Sequence, residues 1–389
     1  MNEKYKRSIE RLNTTKRQTC KTEVMHMVYN RVLSQRLFFA AVAILSITGN
    51  LFFIALIVRN RKLMKNAYHW ILLSLAITDM MTGIFLLLTP VYIIGEQPAL
   101  TGENIGSAIF CYIVANQFLV FTLGIVSLYT VTLLAVERWF AVFRPLRYRT
   151  TFRSHKVHKY LITVWVSSFV ANSTHIIETK YVLHGDNTTN HGDNTTNRCV
   201  FHGVAGNEAR AAIGVLEICI KFLIPAGILL VTFTRLYRYR KDSAVLTTAR
   251  RSSYVALTRV THMAAITSFV MVLCWFPNQL FYLLFKLNVV QLNTAWHRAT
   301  VILCMFNSCL NPCIFLLSNK IYREKAKELL QSCRGLLKND EISLAESNHV
   351  VQSVVCVKFI KGNFLEEDKV EIFEHALNTS LAMHSHELS

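Results

Sequence analysis

The chain has 389 residues, 52% hydrophobic and only 17% charged, with mean hydropathy +0.32 and net charge +18. A soluble domain carries about a quarter charged residues, so the missing charge points to a bilayer. The basic residues lie between apolar runs, which argues against a nucleic-acid partner and suits loops facing anionic lipid and a cytoplasmic protein, and the 10 Cys include no CxxC pair, which argues against zinc.

Residues 1–36 are polar and basic, show no signal peptide and carry a sequon at Asn13. They are expected to form an extracellular tail. A spanning helix needs about 20 mostly apolar residues. Seven runs qualify: Leu37–Val58, Ala67–Ile94, Ala108–Ala141, Tyr160–Ile177, Ala211–Leu236, Val260–Phe285 and Ala299–Leu317. Lipid offers no partner to open backbone groups. The expected fold is therefore an all-α membrane protein, a seven-transmembrane-helix bundle over residues 37–318.

The first loop carries Arg59, Arg61, Lys62 and Lys65, and the second, Glu96 to Ser107, carries no Lys or Arg. The third (Arg144, Arg147, Arg149, Arg153) and the fifth (Arg238, Arg240, Lys241) are again basic. Loops one, three and five are thus expected in the cytoplasm, with the N-terminus outside and the C-terminus inside. The basic N-terminal tail (Lys4, Lys6, Arg7) runs against this, but the loops agree with one another.

The fourth loop holds a perfect tandem repeat, HGDNTTN, at 184–190 and 191–197. Each copy has a sequon, at Asn187 and Asn194, usable only outside the cell. A slipped duplication in a tolerant loop is the simpler reading of the repeat. Residues 319–332 suit a short amphipathic eighth helix on the inner leaflet, followed by Cys333, a candidate for palmitoylation or a free thiol. Residues 333–389 are expected to be a disordered cytoplasmic tail.

Pro90, Pro225, Pro277 and Pro312 lie inside the apolar runs. Proline removes a helix hydrogen bond, and in membranes such kinks frame cavities and hinges. Asp79 sits mid-span in the second run, where a carboxylate is costly without polar partners. Ser127, Asn307, Ser308, Asn311 and Asn50 are available, to hold either a sodium ion or a hydrogen-bonded network.

The runs contain, in order, Gly49-Asn50, LAITD ending at Asp79, Glu137-Arg138-Trp139, Trp165, Pro225, CWFP (Cys274 to Pro277) and NSCLNPCIF (Asn307 to Phe315). One such motif per helix, across residues 37–330, resembles the rhodopsin-like (class A) G-protein-coupled receptors. The resemblance implies a plasma-membrane signal receiver, not an enzyme. Its partners would be a heterotrimeric G protein, arrestin, membrane lipids and an extracellular peptide or small-molecule ligand; there would be no cofactor beyond an allosteric sodium ion.

The resemblance also implies residue roles. Arg138 would meet the G protein, with Glu137 its resting partner. Trp275 and Pro277 would switch beneath the ligand, and Asn311 and Pro312 would hinge the last helix. Asp79, Ser127, Asn307 and Asn311 would line the sodium site. Cys111 would bridge Cys199. Phe315, Phe233 and Trp139 stand where the family has tyrosine, and Leu257 where many members keep a Glu. A weaker resting restraint and raised basal signalling are expected. Cys111 lies 27 residues before Arg138, two more than the family's spacing, which predicts a bulge or longer turn in the third helix.

Val120 stands where amine receptors carry Asp, and Met305 where opsins carry the retinal lysine. Glu217 and Lys221 lie i,i+4 on one helix face. They serve either a ligand cavity or helix stability alone. Asn116, Gln117, Phe121, Asn278, Gln279 and His297 are the other expected ligand contacts, alongside Val120. This set favours a peptide or other zwitterion over a purely apolar lipid. A transporter or channel, the rival class, would show inverted repeats and more intramembrane charge.

Overall fold

Seven helices long and apolar enough to cross a membrane make up the bundle in the computed structural model, which describes residues 32–93, 105–182, 198–201, 206–243, 251–292 and 294–344. They are α1 (Val32–Arg59), α2 (Ala67–Leu88), α3 (Ile105–Phe143), α4 (His155–Ile177), α5 (Asn207–Tyr239), α6 (Thr258–Lys286) and α7 (Ala295–Ser318). An eighth helix, α8 (Lys320–Leu344), follows after the break at Asn319. The sequons at Asn13, Asn187 and Asn194 lie outside the described residues, as do the side chains of Leu257 and Cys333.

The helices exceed their apolar runs at most ends because a backbone can stay helical in the headgroup zone after its side chains turn polar. α2 is the exception. Pro90 bars the helical region to the residue before it. Thr89 is extended (φ −86°, ψ 112°), and α2 stops at Leu88 before a single further turn, Pro90–Ile93. The expected kink is thus a break. α8 runs past residue 332 to Leu344, its first turns supported by the pairs Lys320–Glu324 at 3.6 Å and Lys325–Glu328 at 2.7 Å.

α3 is the central strut: 78% of its most apolar stretch is buried, against 17% for the peripheral α4. Its irregularity sits where the long Cys111–Arg138 spacing predicts one. Residues Cys111–Ala115 form a π-turn, and Gln117 adopts a left-handed φ of 68°. The Asn116 side chain accepts from the Phe118 N–H at 2.9 Å and so starts the regular helix below. α5 carries a second π-turn, Cys219–Leu223, just ahead of Pro225. Proline has no N–H for the usual i−4 carbonyl, and a wider turn absorbs that loss.

Two short strands, β1 (Thr179–Val182) and β2 (Arg198–Phe201), pair antiparallel, with Tyr181 opposite Cys199. A disulfide joins Cys199 to Cys111 at the top of α3. This hairpin therefore lies over one end of the bundle, the disulfide end. Arg138 lies near the other end.

Candidate functional site

At the disulfide end, α3, α4, α5 and α6 enclose a cavity. Trp275 is a wall residue, 2% exposed, with Phe121 and Tyr282 nearby. Their rings meet edge to face at 5.7 Å, and Phe121 stacks on His175 at 5.6 Å. No Cβ fits at Gly124: it would lie 2.3 Å from the Trp275 indole. The missing side chain is what lets the edge of the Trp275 indole come this close to α3.

One wall is a row of alternating charge. Glu178, just past α4, accepts from Lys286 at the end of α6. Lys286 also lies 3.5 Å from Glu217 on α5, which is bonded to Lys221 at 2.6 Å. Lys221 reaches on to Asn172 Oδ1 at 3.2 Å, and Thr174 donates to Glu217. All four charges are at most 15% exposed at the side chain. Burying such groups is costly unless each is paired, and here every carboxylate has an ammonium. Gly214 makes the row possible, since a Cβ there would fall 2.6 Å from the Lys286 side chain.

Of the expected ligand contacts, Phe121, Glu217, Lys221, Asn278 and Gln279 line the cavity. The other four do not. Asn116 and Gln117, at the α3 turn, are bonded to neighbouring elements: Asn116 donates to Thr179 at 3.0 Å, and Gln117 accepts from Tyr92 at 2.5 Å. Val120 is fully buried, and His297 stacks on Phe281 at 5.1 Å. Asn172, His175, Glu178, Tyr282 and Lys286 escape the sequence reading. Glu178 and Lys286 each fall one residue beyond an apolar run, which was the available signal.

Midway down the bundle, Ser127 and Asn311 donate to the two Asp79 oxygens at 3.0 and 2.6 Å. Asn50 donates to the carbonyls of Ser46 and Ser308. The side-chain oxygens of Asn50, Asn307 and Asn311 are buried without a hydrogen-bond partner. A carboxylate beside unpaired amide oxygens is a donor set that suits a hard monovalent cation.

At the opposite end, Arg138 donates two hydrogen bonds to the neighbouring Glu137. Both are buried. Tyr148, on the short helix Pro145–Thr151, donates to the same carboxylate at 2.6 Å, and the Arg138 guanidinium lies 4.7 Å over the Tyr68 ring. Burial, then the Glu137 charge, pushes the Tyr148 phenol above its ordinary range, so it stays a donor. Phe315 is buried against Phe53, with ring centroids 4.8 Å apart.

The family model of the 7 transmembrane receptor (rhodopsin family) matches residues 49–315. Galanin receptor 2a of Danio rerio is 24% identical over 298 residues, which cover 75% of this chain and 77% of the receptor. The histamine H2 receptor of Homo sapiens is 26% identical over 318 residues, 79% and 82% of the two chains. The growth hormone secretagogue receptor type 1 of Mus musculus is 24% identical over 301 residues, 75% and 79%.

Proposed function

Because the chain belongs to the rhodopsin family of seven-transmembrane receptors, and so is a multi-pass G-protein-coupled receptor rather than an enzyme, we propose that its ligand is an extracellular peptide bound in the disulfide-end cavity. The buried charge row Glu178–Lys286–Glu217–Lys221 carries this reading. A ligand with an ammonium and a carboxylate, such as a peptide end, exchanges its own charges for pairs already in the row. An apolar lipid offers nothing to the ions it would uncover. The relatives are named for galanin, histamine and growth hormone secretagogues. Against an amine, α3 presents no carboxylate to the cavity, since position 120 is Val and the α3 residues lining it are Phe121 and Ile125.

The same reading puts the disulfide end outside the cell and Arg138 inside, in the plasma membrane. The basic loops support it, as does a disulfide at the end where oxidation is permitted. Arrestin and inner-leaflet lipids are then the further partners at the Arg138 end, Asn13, Asn187 and Asn194 the glycan sites, and Cys333 the acyl site. The cation at Asp79 is sodium, held with Ser127, Asn307 and Asn311.

A peptide screen reading G-protein activation tests the ligand class. The expected agonist loses roughly 30-fold or more in potency in Lys221→Met or Glu217→Gln. An uncharged agonist indifferent to both substitutions would overturn the assignment.

A further inference from the structure

Buried polar atoms short of hydrogen bonds gather where α8 meets α2: Tyr322 Oη has none, and the two His69 ring nitrogens have none of ordinary geometry, with only the Leu63 backbone reaching the ring. Tyr322 is fully buried and His69 is 1% exposed. Their rings lie edge to face with centroids 6.0 Å apart. Tyr322 is wedged edge-on against Phe53 at 5.3 Å, in the cluster that also holds Phe315. A phenol thus enters this cluster from α8, while the side chain that α7 contributes has no hydroxyl.

His69 in turn lies against Tyr68, ring centroids 3.9 Å apart, and Tyr68 lies beneath the Arg138 guanidinium at 4.7 Å. Four side chains therefore run in a row from α8 to Arg138. Leaving buried polar atoms unpaired costs more than a made hydrogen bond contributes, and neighbouring groups of this kind are commonly joined by an ordered water. Tyr322 and His69 make no direct hydrogen bond with each other although their rings are in contact, so one water is the natural link.

We propose that a water molecule bridges Tyr322 Oη and His69, and that this bridge makes Tyr322 a positioning residue for Arg138. The bridge fixes the His69 ring, His69 fixes Tyr68, and Tyr68 supports the guanidinium. α8 is then mechanically tied to the residue that engages the G protein. The functional weight of this rests on that role for Arg138; the geometry does not.

The test uses the full chain in lipid nanodiscs and needs neither ligand nor G protein. Thermal midpoints are measured for the native chain, Tyr322→Phe, His69→Phe and the double variant. The Arg138 side-chain resonance is followed by arginine-selective NMR, assigned by its loss in Arg138→Lys. Tyr322→Phe removes only the hydroxyl, whereas a phenyl ring is larger than the buried imidazole, so the comparison of the double variant with the two singles, not the His69→Phe midpoint alone, carries the reading. Each single variant is expected to lower the midpoint by roughly 2–4 °C. The double variant should be no worse than either single, because the bridge is lost once. The Arg138 resonance should shift in both singles and return toward its native position in His69→Asn, which keeps a donor and an acceptor. Single variants that are neutral or stabilising and additive would overturn the bridge. An Arg138 resonance unmoved in both would overturn the positioning role. G-protein activation by the native chain, measured separately, distinguishes a failure of this proposal from a failure of the receptor reading.

Discussion

Lys286 at the end of α6 donates to Glu178 just past α4, and both side chains are at most 3% exposed. The pair ties the element leading into the hairpin to the helix that bears Trp275. Removing one partner of a buried pair leaves an uncompensated charge and costs about 3–5 kcal/mol. Lys286→Met is therefore expected to destabilise the purified receptor by about that much. Combining it with Glu178→Gln should recover a large part of the loss. Denaturation in micelles of the two single variants and the double variant checks this; losses that simply add would show the two groups act independently.

Gly124 gives a second expectation. A methyl group there meets the Trp275 ring at 2.3 Å, so Gly124→Ala must push the indole aside. Overpacking of this kind costs about 1–3 kcal/mol. If Trp275 is the switch that the resemblance implies, basal G-protein activation should change as well, read per folded receptor. Unchanged stability and unchanged basal activity together would mean the ring does not lie against α3.

Tyr148 is the third. Its hydroxyl helps Glu137 stay in place as the partner of Arg138. A hydrogen bond to a charged group contributes about 1.5–3 kcal/mol. Tyr148→Phe is expected to raise basal nucleotide exchange, and Tyr148→Phe in an Arg138→Ala background to do nothing. Equal basal rates in Tyr148→Phe and the native chain would remove Tyr148 from the resting restraint.

The Asp79 cluster supplies the fourth. If sodium binds only the folded state, the thermal midpoint rises with its concentration. Sodium chloride should stabilise the native chain more than choline chloride at equal ionic strength. Asp79→Asn should abolish the difference. Equal midpoints in the two salts would leave a hydrogen-bonded network without an ion.

The seven spans and the Asp79–Ser127–Asn311 contacts were legible because apolar length and intramembrane polarity are properties of the sequence itself. The irregularity in α3 was legible from a count of residues, since two extra positions between Cys111 and Arg138 must go somewhere. What the sequence hid was tertiary. Glu178 and Lys286 sit at the edges of apolar runs, where a charge ordinarily reaches into water. The close approach of α5 at Gly214 to Lys286, and the pairing of Lys286 with Glu178, keep them out of water. Asn116 and Gln117 are expected at the cavity, but they sit at the π-turn, where Asn116 bonds the Phe118 N–H and Thr179, and Gln117 accepts from Tyr92. Val120 and His297 face packing partners rather than the cavity for the same reason that any helix has several polar-tolerant faces: sequence alone does not fix rotation.

The most direct test of the receptor account is nucleotide exchange on purified heterotrimeric G proteins of each major Gα class, with native chain or Arg138→Ala in nanodiscs, without ligand and with the peptide library. The account predicts receptor-dependent exchange in at least one class, lost in Arg138→Ala at equal amounts of folded protein. Exchange no faster than empty nanodiscs in every class, or exchange indifferent to Arg138→Ala, would contradict it.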